Sequence, residues 1–333
     1  MPSIGKMFKT HPTETWLMII ITSLSLVLSI TTDQYFSLVN LFDLLNISAV
    51  NIIFAVGLLV VLISGGIDIS FAVAASVVQY VAFYILNDMG GGNWFLGFVV
   101  TALLGIVLGA INAGLIHYFR IISIVVTIAT FNIFFGLLMF LTKGVYIYNL
   151  PDWWTDRVIL IEHQMANGTW AELTLPVAVM VAAVVLTWGL INYTSIGRQI
   201  YAYGDNPEGA RRVGVNVAAV HFISYGWLGM MAGIGGLIQA HFTQEIVPNA
   251  LIGRELDVLA AVVLGGATLG GGSGTVLGCV LGVLLIAIIQ NGLNLLGVTP
   301  FAFKAIVGVI ILFSITLSNV SFTEIRARMA KED

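Results

Sequence analysis

Ser195-Ile196-Gly197-Arg198-Gln199-Ile200-Tyr201-Ala202-Tyr203-Gly204-Asp205-Asn206-Pro207-Glu208-Gly209-Ala210-Arg211-Arg212-Val213-Gly214-Val215-Asn216-Val217 is a polar, turn-rich stretch between two long apolar runs. The chain is 59% hydrophobic and only 9% charged, yet this stretch gathers Arg198, Asp205, Glu208, Arg211 and Arg212, so it belongs in water. Its middle reads as a helix start. Asn206 is a candidate N-cap, Pro207 stands where a missing N–H costs nothing, and Glu208 complements the helix dipole. A short helix over 208–213 is expected, stopping near Gly214. A compact capped helix between two membrane runs suggests a docking partner. A well-formed turn that binds nothing is the plainer alternative.

A mean hydropathy of +1.01 over 333 residues excludes a water-soluble globule, because so few polar groups could not cover the apolar surface. The composition is that of a polytopic, all-α integral membrane protein. Cys279, the single cysteine, lies in an apolar run, which leaves neither a disulfide framework nor a Cys-based metal site. Met1 to Pro12 is short and basic, but the apolar run behind it reaches about 20 residues and lacks a small-residue cleavage site, so it reads as a first membrane helix rather than a signal peptide.

Ten apolar runs are long enough to cross a hydrocarbon core of about 30 Å. They cover 14–32, 46–63, 69–87, 94–116, 121–141, 173–192, 218–240, 256–270, 274–293 and 302–319. The third and eighth adjoin glycine pairs, Gly65-Gly66 and Gly265-Gly266, and are candidates for broken or re-entrant helices. With the N-terminus in the cytoplasm, nine basic residues fall inside: Lys6, Lys9, Arg120, Arg198, Arg211, Arg212, Arg326, Arg328 and Lys331. Lys143, Arg157, Arg254 and Lys304 remain outside or at the outer boundary. Both termini are then cytoplasmic, in one transmembrane domain over 1–333. Loop 193–217 faces inward, and loop 142–172, with Trp153, Trp154 and Trp170, faces outward as an interface cover or a docking surface.

Gly266, Gly270, Gly274, Gly278 and Gly282 recur every four residues, a spacing that lets helix backbones approach closely in lipid. Gly270 to Gly274 also resembles a phosphate-cradling loop, but no Gly-Lys-Ser or Gly-Lys-Thr follows, so nucleotide binding is not expected here. A short echo links 109–115 in the fourth run with 288–293 in the ninth. The two runs are antiparallel in this topology, as two inverted repeats require.

Uncharged polar residues inside spans are costly and count as candidates for a solute path: Asn51, Asn112, Thr127, Asn132, Gln239, Gln290, Asn291 and Asn294, with Ser48 and Thr130 beside them. An amide both donates and accepts, which suits a polyhydroxylated solute. Interhelical hydrogen bonding is the competing role. Asp68, in Ser64-Gly65-Gly66-Ile67-Asp68-Ile69-Ser70, is flanked by apolar sequence and reads as capping the next helix, with a cation or proton relay as the alternative. The five histidines show no metal-ligand spacing and no hydrolase motif is present, so neither a metal site nor an enzyme is expected.

Three passages together resemble the membrane permease subunits of bacterial ATP-binding-cassette importers for monosaccharides, the group that includes ribose, xylose, galactose and autoinducer-2 permeases. They are Ser64 to Ser70, Gly197 to Arg211, and Leu256-Asp257 with the following Ala260 to Gly266 and Gly271 to Gly278. The resemblance implies that Gly204, Asp205, Asn206, Pro207, Glu208, Ala210, Arg211, Arg212 and Gly214 form a loop coupled to an ATPase. It also implies that Gly65, Gly66, Asp68, Ser70, Gly265 and Gly266 serve helix ends or gating. The partners implied are a cytoplasmic ATPase that binds ATP and magnesium, a periplasmic or lipoprotein sugar-binding protein, and a second copy or a related permease. No cofactor in this chain and no nucleic acid are implied, and the location is the bacterial inner membrane. Phe71-Ala72-Val73-Ala74 departs from the family pattern, as does the absence of proline from Arg120-Ile121-Ile122-Ser123. Both departures lie near the expected solute path. An ion-coupled transporter and a passive channel are the rival readings.

Overall fold

In the computed structural model, residues 12–165 and 168–299 are described, with positions 302, 303, 305, 306, 308 and 309 beyond them. Eight described helices are long and apolar enough to cross a membrane. They are α1 (Pro12–Thr31), α2 (Leu38–Ile63), α3 (Phe71–Asp88), α4 (Trp94–Phe119), α5 (Ser123–Thr142), α7 (Leu175–Tyr193), α10 (Val217–Thr243) and α12 (Val276–Leu295). Each expected run up to the seventh, and the ninth, has its helix. The tenth falls largely outside the described residues. At the eighth, one of the two candidates for a broken helix, α11 covers only Arg254–Leu264, 11 residues and thus about 17 Å, roughly half a hydrocarbon core.

The helix starts follow local chemistry. Ser37 accepts from the Asn40 N–H, Asn93 from Leu96, Asn216 from Ala219 and Thr275 from Gly278, each satisfying an orphan donor of the first turn. From Ile52 to Ile63 α2 is apolar all round, and it is buried along most of its length, so it forms the centre of the bundle. It packs against α10, α7, α12 and α11.

The tightest helix pair is α4 with α10. A Cβ on Gly105 would overlap the Gly229 carbonyl, one on Gly229 the Gly105 carbonyl, and one on Gly109 the Tyr225 carbonyl. α11 and α12 approach the same way through Gly265, Gly278 and Gly282. The four-residue glycine spacing thus serves helix contact at 278 and 282. Gly266 and Gly274 instead sit in the connecting loop, at φ +94° and +145°.

Two ends of the bundle are defined by contacts. At one end lie turn 64–70, turn 120–122, segment 195–216 and loop 265–275: the Ile67 N–H donates to Ser123 Oγ at 3.0 Å, and the Gly272 N–H to the Ile63 carbonyl at 2.9 Å. At the other lie 89–93, 143–174 and 244–253: the Trp153 indole donates to the Gly91 carbonyl at 2.6 Å, and Ile147 bridges to Ile246. The 142–172 segment carries a short helix, α6 (Asp152–Thr155), and extends into a hairpin of β1 (Ile159–Gln164) and β2 (Trp170–Thr174), a small exception to an otherwise helical fold. Trp154 is fully buried and donates to the Leu237 carbonyl at 3.0 Å, while His241 Nδ1 meets the Trp154 carbonyl at 2.7 Å. Trp154 therefore binds the loop to α10, and Trp153 binds it to the α3–α4 turn and the start of α4. Trp170 remains half exposed.

Candidate functional site

The 193–217 stretch is not a loop but two helices, α8 (Ser195–Asp205) and α9 (Pro207–Arg212). α9 starts as its sequence dictates. Asn206 Oδ1 accepts the Gly209 N–H at 2.9 Å, Pro207 takes the first helical position, and Gly214 at φ +85° follows the end. α8 was not foreseen; Thr194 caps it, accepting the Gly197 N–H at 3.0 Å.

On α9 the side chains divide by burial. Ala210 is buried against the bundle, whereas Asp205, Asn206, Pro207, Glu208, Arg211 and Arg212 are exposed. Glu208 and Arg212 form an exposed i,i+4 pair at 3.7 Å, worth about 0.3–0.5 kcal/mol.

Gly204 anchors this platform. It is buried, and a Cβ there would overlap the Ile63 carbonyl oxygen and stand 2.6 Å from the Gly272 nitrogen. Gly271, at φ +88°, lies against Gly65 and Gly204, where a Cβ would come within 2.8 Å of backbone atoms of both. The Tyr201 hydroxyl donates to the Gly274 carbonyl at 2.6 Å. The end of α2, the end of α8 and the glycine loop therefore touch backbone to backbone at Gly204 and Gly271.

Next to this junction Asp68 is buried. Its Oδ1 accepts both the N–H and the hydroxyl of Ser70 at 2.7 Å, and the Asn112 amide donates to Oδ2 at 3.1 Å and to Ser70 Oγ at 2.8 Å. Burial pushes the Asp68 carboxyl above the usual carboxylate range, opposed by the hydrogen bonds from Ser70 and Asn112. The carboxylate braces the turn at Ser70, the residue before α3. Thr127 Oγ1 donates to the Ile67 carbonyl at 3.3 Å, so Asn112 and Thr127 both secure this turn. Gly66 lies against the Tyr225 ring, and Gly266 against Thr13.

Four of the eight polar path candidates meet elsewhere. Asn51, Gln290, Asn291 and Asn294 line a cavity of about 370 Å³ together with Ser48, Arg254 and Asp257. Asn51 Oδ1 accepts from Arg254 at 3.4 Å. Asn51 is the middle of α2, so the first turn of the half-length α11 brings a guanidinium and a carboxylate to mid-bundle depth. Asn291 exchanges two hydrogen bonds with Asn40, at 2.8 and 3.2 Å, which ties α12 to α2. Asn132 is exposed on α5 and donates to its own helix at Ile128. Gln239 is buried in α10 away from this cavity.

Arg254 and Asp257 were not singled out for the path. A charged pair at the head of an apolar run was the available signal, hidden because the run looked long enough to place both at a membrane boundary. Among the described residues, no cluster of three or more His, Cys, Asp or Glu could hold a metal.

A polytopic helical bundle with a capped surface helix locked to its core defines a membrane transport component. The chain belongs to the family described as "Branched-chain amino acid transport system / permease component", whose model matches residues 40–315. It is 30% identical over 312 residues to the ribose import permease protein RbsC of Escherichia coli (strain K12), covering 92% of this chain and 95% of that protein. It is 32% identical over 290 residues to the autoinducer 2 import system permease protein LsrC of Photorhabdus luminescens, covering 86% and 83%. It is 28% identical over 327 residues to the galactose/methyl galactoside import permease protein MglC of Escherichia coli (strain K12), covering 95% and 97%. No solved structure matches. The permease family that the three glycine-bearing passages resemble is the one found.

Proposed function

We propose that this chain is the permease subunit of an ATP-binding-cassette importer in the bacterial inner membrane, carrying a monosaccharide or similar polyhydroxylated solute. The observation that carries the reading is the junction at Gly204, where the end of α8, directly before α9, meets the α2 end and the glycine loop. An exposed capped helix locked to the transport core is what an external motor needs to grip. The names of the relatives, ribose import and galactose/methyl galactoside import permeases, support the solute class.

In this account the α9 end is cytoplasmic, along with both termini. Ten spans form two inverted halves, with α11 as a broken span. A partner ATPase binds ATP and magnesium and grips α9 through Glu208, Arg211 and Arg212, and this chain supplies no hydrolysis. Closure of the ATPases shifts the bundle between outward and inward states. A sugar-binding protein delivers the solute at the hairpin end. The solute passes the cavity of Asn51, Arg254, Asp257, Gln290 and Asn294, whose donors and acceptors match hydroxyl groups. Asn132, on the open face of α5, fits a lumen shared with a second permease copy or a related permease. Asp68 is committed to three donors, which argues against the ion-coupled alternative.

The test is reconstitution of the chain with its ATPase and binding protein in liposomes, following labelled ribose and galactose. Uptake that needs both partners and ATP supports the proposal. Equilibration of either sugar by the chain alone would make it a passive channel.

A further inference from the structure

At the α9 end a second cavity, of about 700 Å³, opens between the end of α4, the start of α5, α9 and α10. Its wall carries two guanidiniums, Arg120 and Arg211, and two imidazoles, His117 and His221, with one carboxylate, Asp205. Neither Arg120 nor Arg211 has an ion pair or hydrogen bond among the described residues. His221 packs edge-on against His117 and Tyr203, with ring centres 5.5 and 5.4 Å away, and its buried Nδ1 has no hydrogen-bond partner. A buried polar atom without a partner calls for an explanation, and a ligand atom is one. Arg120 ends α4 at φ +56°, in the left-handed region, as Lys143 and Gln244 end α5 and α10 at φ +53° and +58°.

We infer that this cavity binds a phosphate group, held by Arg120, Arg211 and His221. Two unpaired guanidiniums with an imidazole favour a compact, multiply charged oxyanion over a neutral sugar or a cation. The ligand bridges the α4–α5 turn to α9, so its occupancy stiffens the helix that Gly204 connects to the core. Two sources share this chemistry. Tyr118, Phe119 and Ile122 are largely exposed beside the mouth, as at a lipid boundary, which suits the headgroup of an anionic phospholipid. A soluble phosphate ester is the other source.

The experiment places the full chain in phosphatidylcholine nanodiscs and titrates inorganic phosphate by calorimetry. A second arm uses discs containing phosphatidylglycerol and counts retained lipid by native mass spectrometry. Binding in at least one arm is expected, weakened about tenfold in both Arg120→Gln and His221→Gln. Arg198→Gln, which removes an exposed charge at the same end but outside the cavity, should bind as the parent does. Phosphate titration assigns a soluble ester, and lipid retention without titration assigns a headgroup. Arg120→Gly separates binding from folding: it relieves the backbone, so its thermal midpoint should be no lower than the parent's while binding falls. Absence of binding in both arms, or unchanged binding in Arg120→Gln and His221→Gln, overturns the inference.

Discussion

The Gly272 N–H donates to the Ile63 carbonyl at 2.9 Å, and Gly204 rests directly on that bond. A methyl group at 204 has nowhere to go, because its neighbours are backbone atoms of two other segments. Gly204→Ala should cost about 1–3 kcal/mol through overpacking and loosen the junction. ATP hydrolysis by the reconstituted complex should persist while sugar uptake falls. Full uptake by Gly204→Ala would show that the junction transmits nothing.

Asp68 offers a contrast between two substitutions. Asp68→Ala strands the Ser70 N–H and the Ser70 hydroxyl, each costing about 1–3 kcal/mol when left buried without an acceptor, and leaves the Asn112 amide only its bond to Ser70 Oγ. Asp68→Asn keeps one carbonyl oxygen and should be milder. Thermal melts in detergent should rank the parent above Asp68→Asn, and Asp68→Asn above Asp68→Ala. Uptake by Asp68→Asn should remain ATP-dependent. Loss at every pH, in a protein that still folds, would favour an ion-coupled carrier.

The cavity around Arg254 predicts a transport defect without an assembly defect. Asn51→Leu and Gln290→Leu each remove a hydroxyl-matching amide from its wall, and each should lower uptake about tenfold, the effect of one lost hydrogen bond to a polar solute. The amount of ATPase co-purifying should not change. Asn192→Leu, at an exposed site that bonds only its own helix, is the control. Parent-level uptake in both cavity variants would remove this cavity from the path.

Gly105→Ala should separate α4 from α10, since its added methyl would meet the Gly229 carbonyl. The expected cost is about 1–3 kcal/mol. By contrast Gly189, with open space around it, should accept alanine with no loss of thermal midpoint. Equal midpoints for Gly105→Ala and Gly189→Ala would contradict the close helix contact.

Local chemistry was legible in the sequence and distant contact was not. Asn206, Pro207 and Gly214 fix the bounds of α9 by capping and backbone preference, which involve residues within three or four positions. The spans follow from apolar length. The Gly105–Gly229 approach is invisible because a glycine announces only a missing side chain, and its partner is set by the fold. The same holds for Gly204 against Ile63 and Gly272. In the 256–270 run the glycine pair at Gly265-Gly266 announced the break, but hydropathy ignores the depth at which a helix begins. Arg254 reached mid-bundle through 244–253, a segment read as an outer connection.

The most direct test of the central claim inverts the exposed pair on α9. Glu208→Lys with Arg212→Glu keeps an i,i+4 ion pair, though reversed against the helix dipole, while each position offered to a partner changes sign. An unchanged thermal midpoint checks that the fold is kept. The tagged chain and this double variant would be purified gently from native membranes and the co-purifying proteins identified by mass spectrometry. An ATPase that accompanies the parent and is missing from the double variant is the predicted result. An equal amount with both, together with unchanged ATP-driven uptake, would contradict the assignment of α9 as the helix the motor holds.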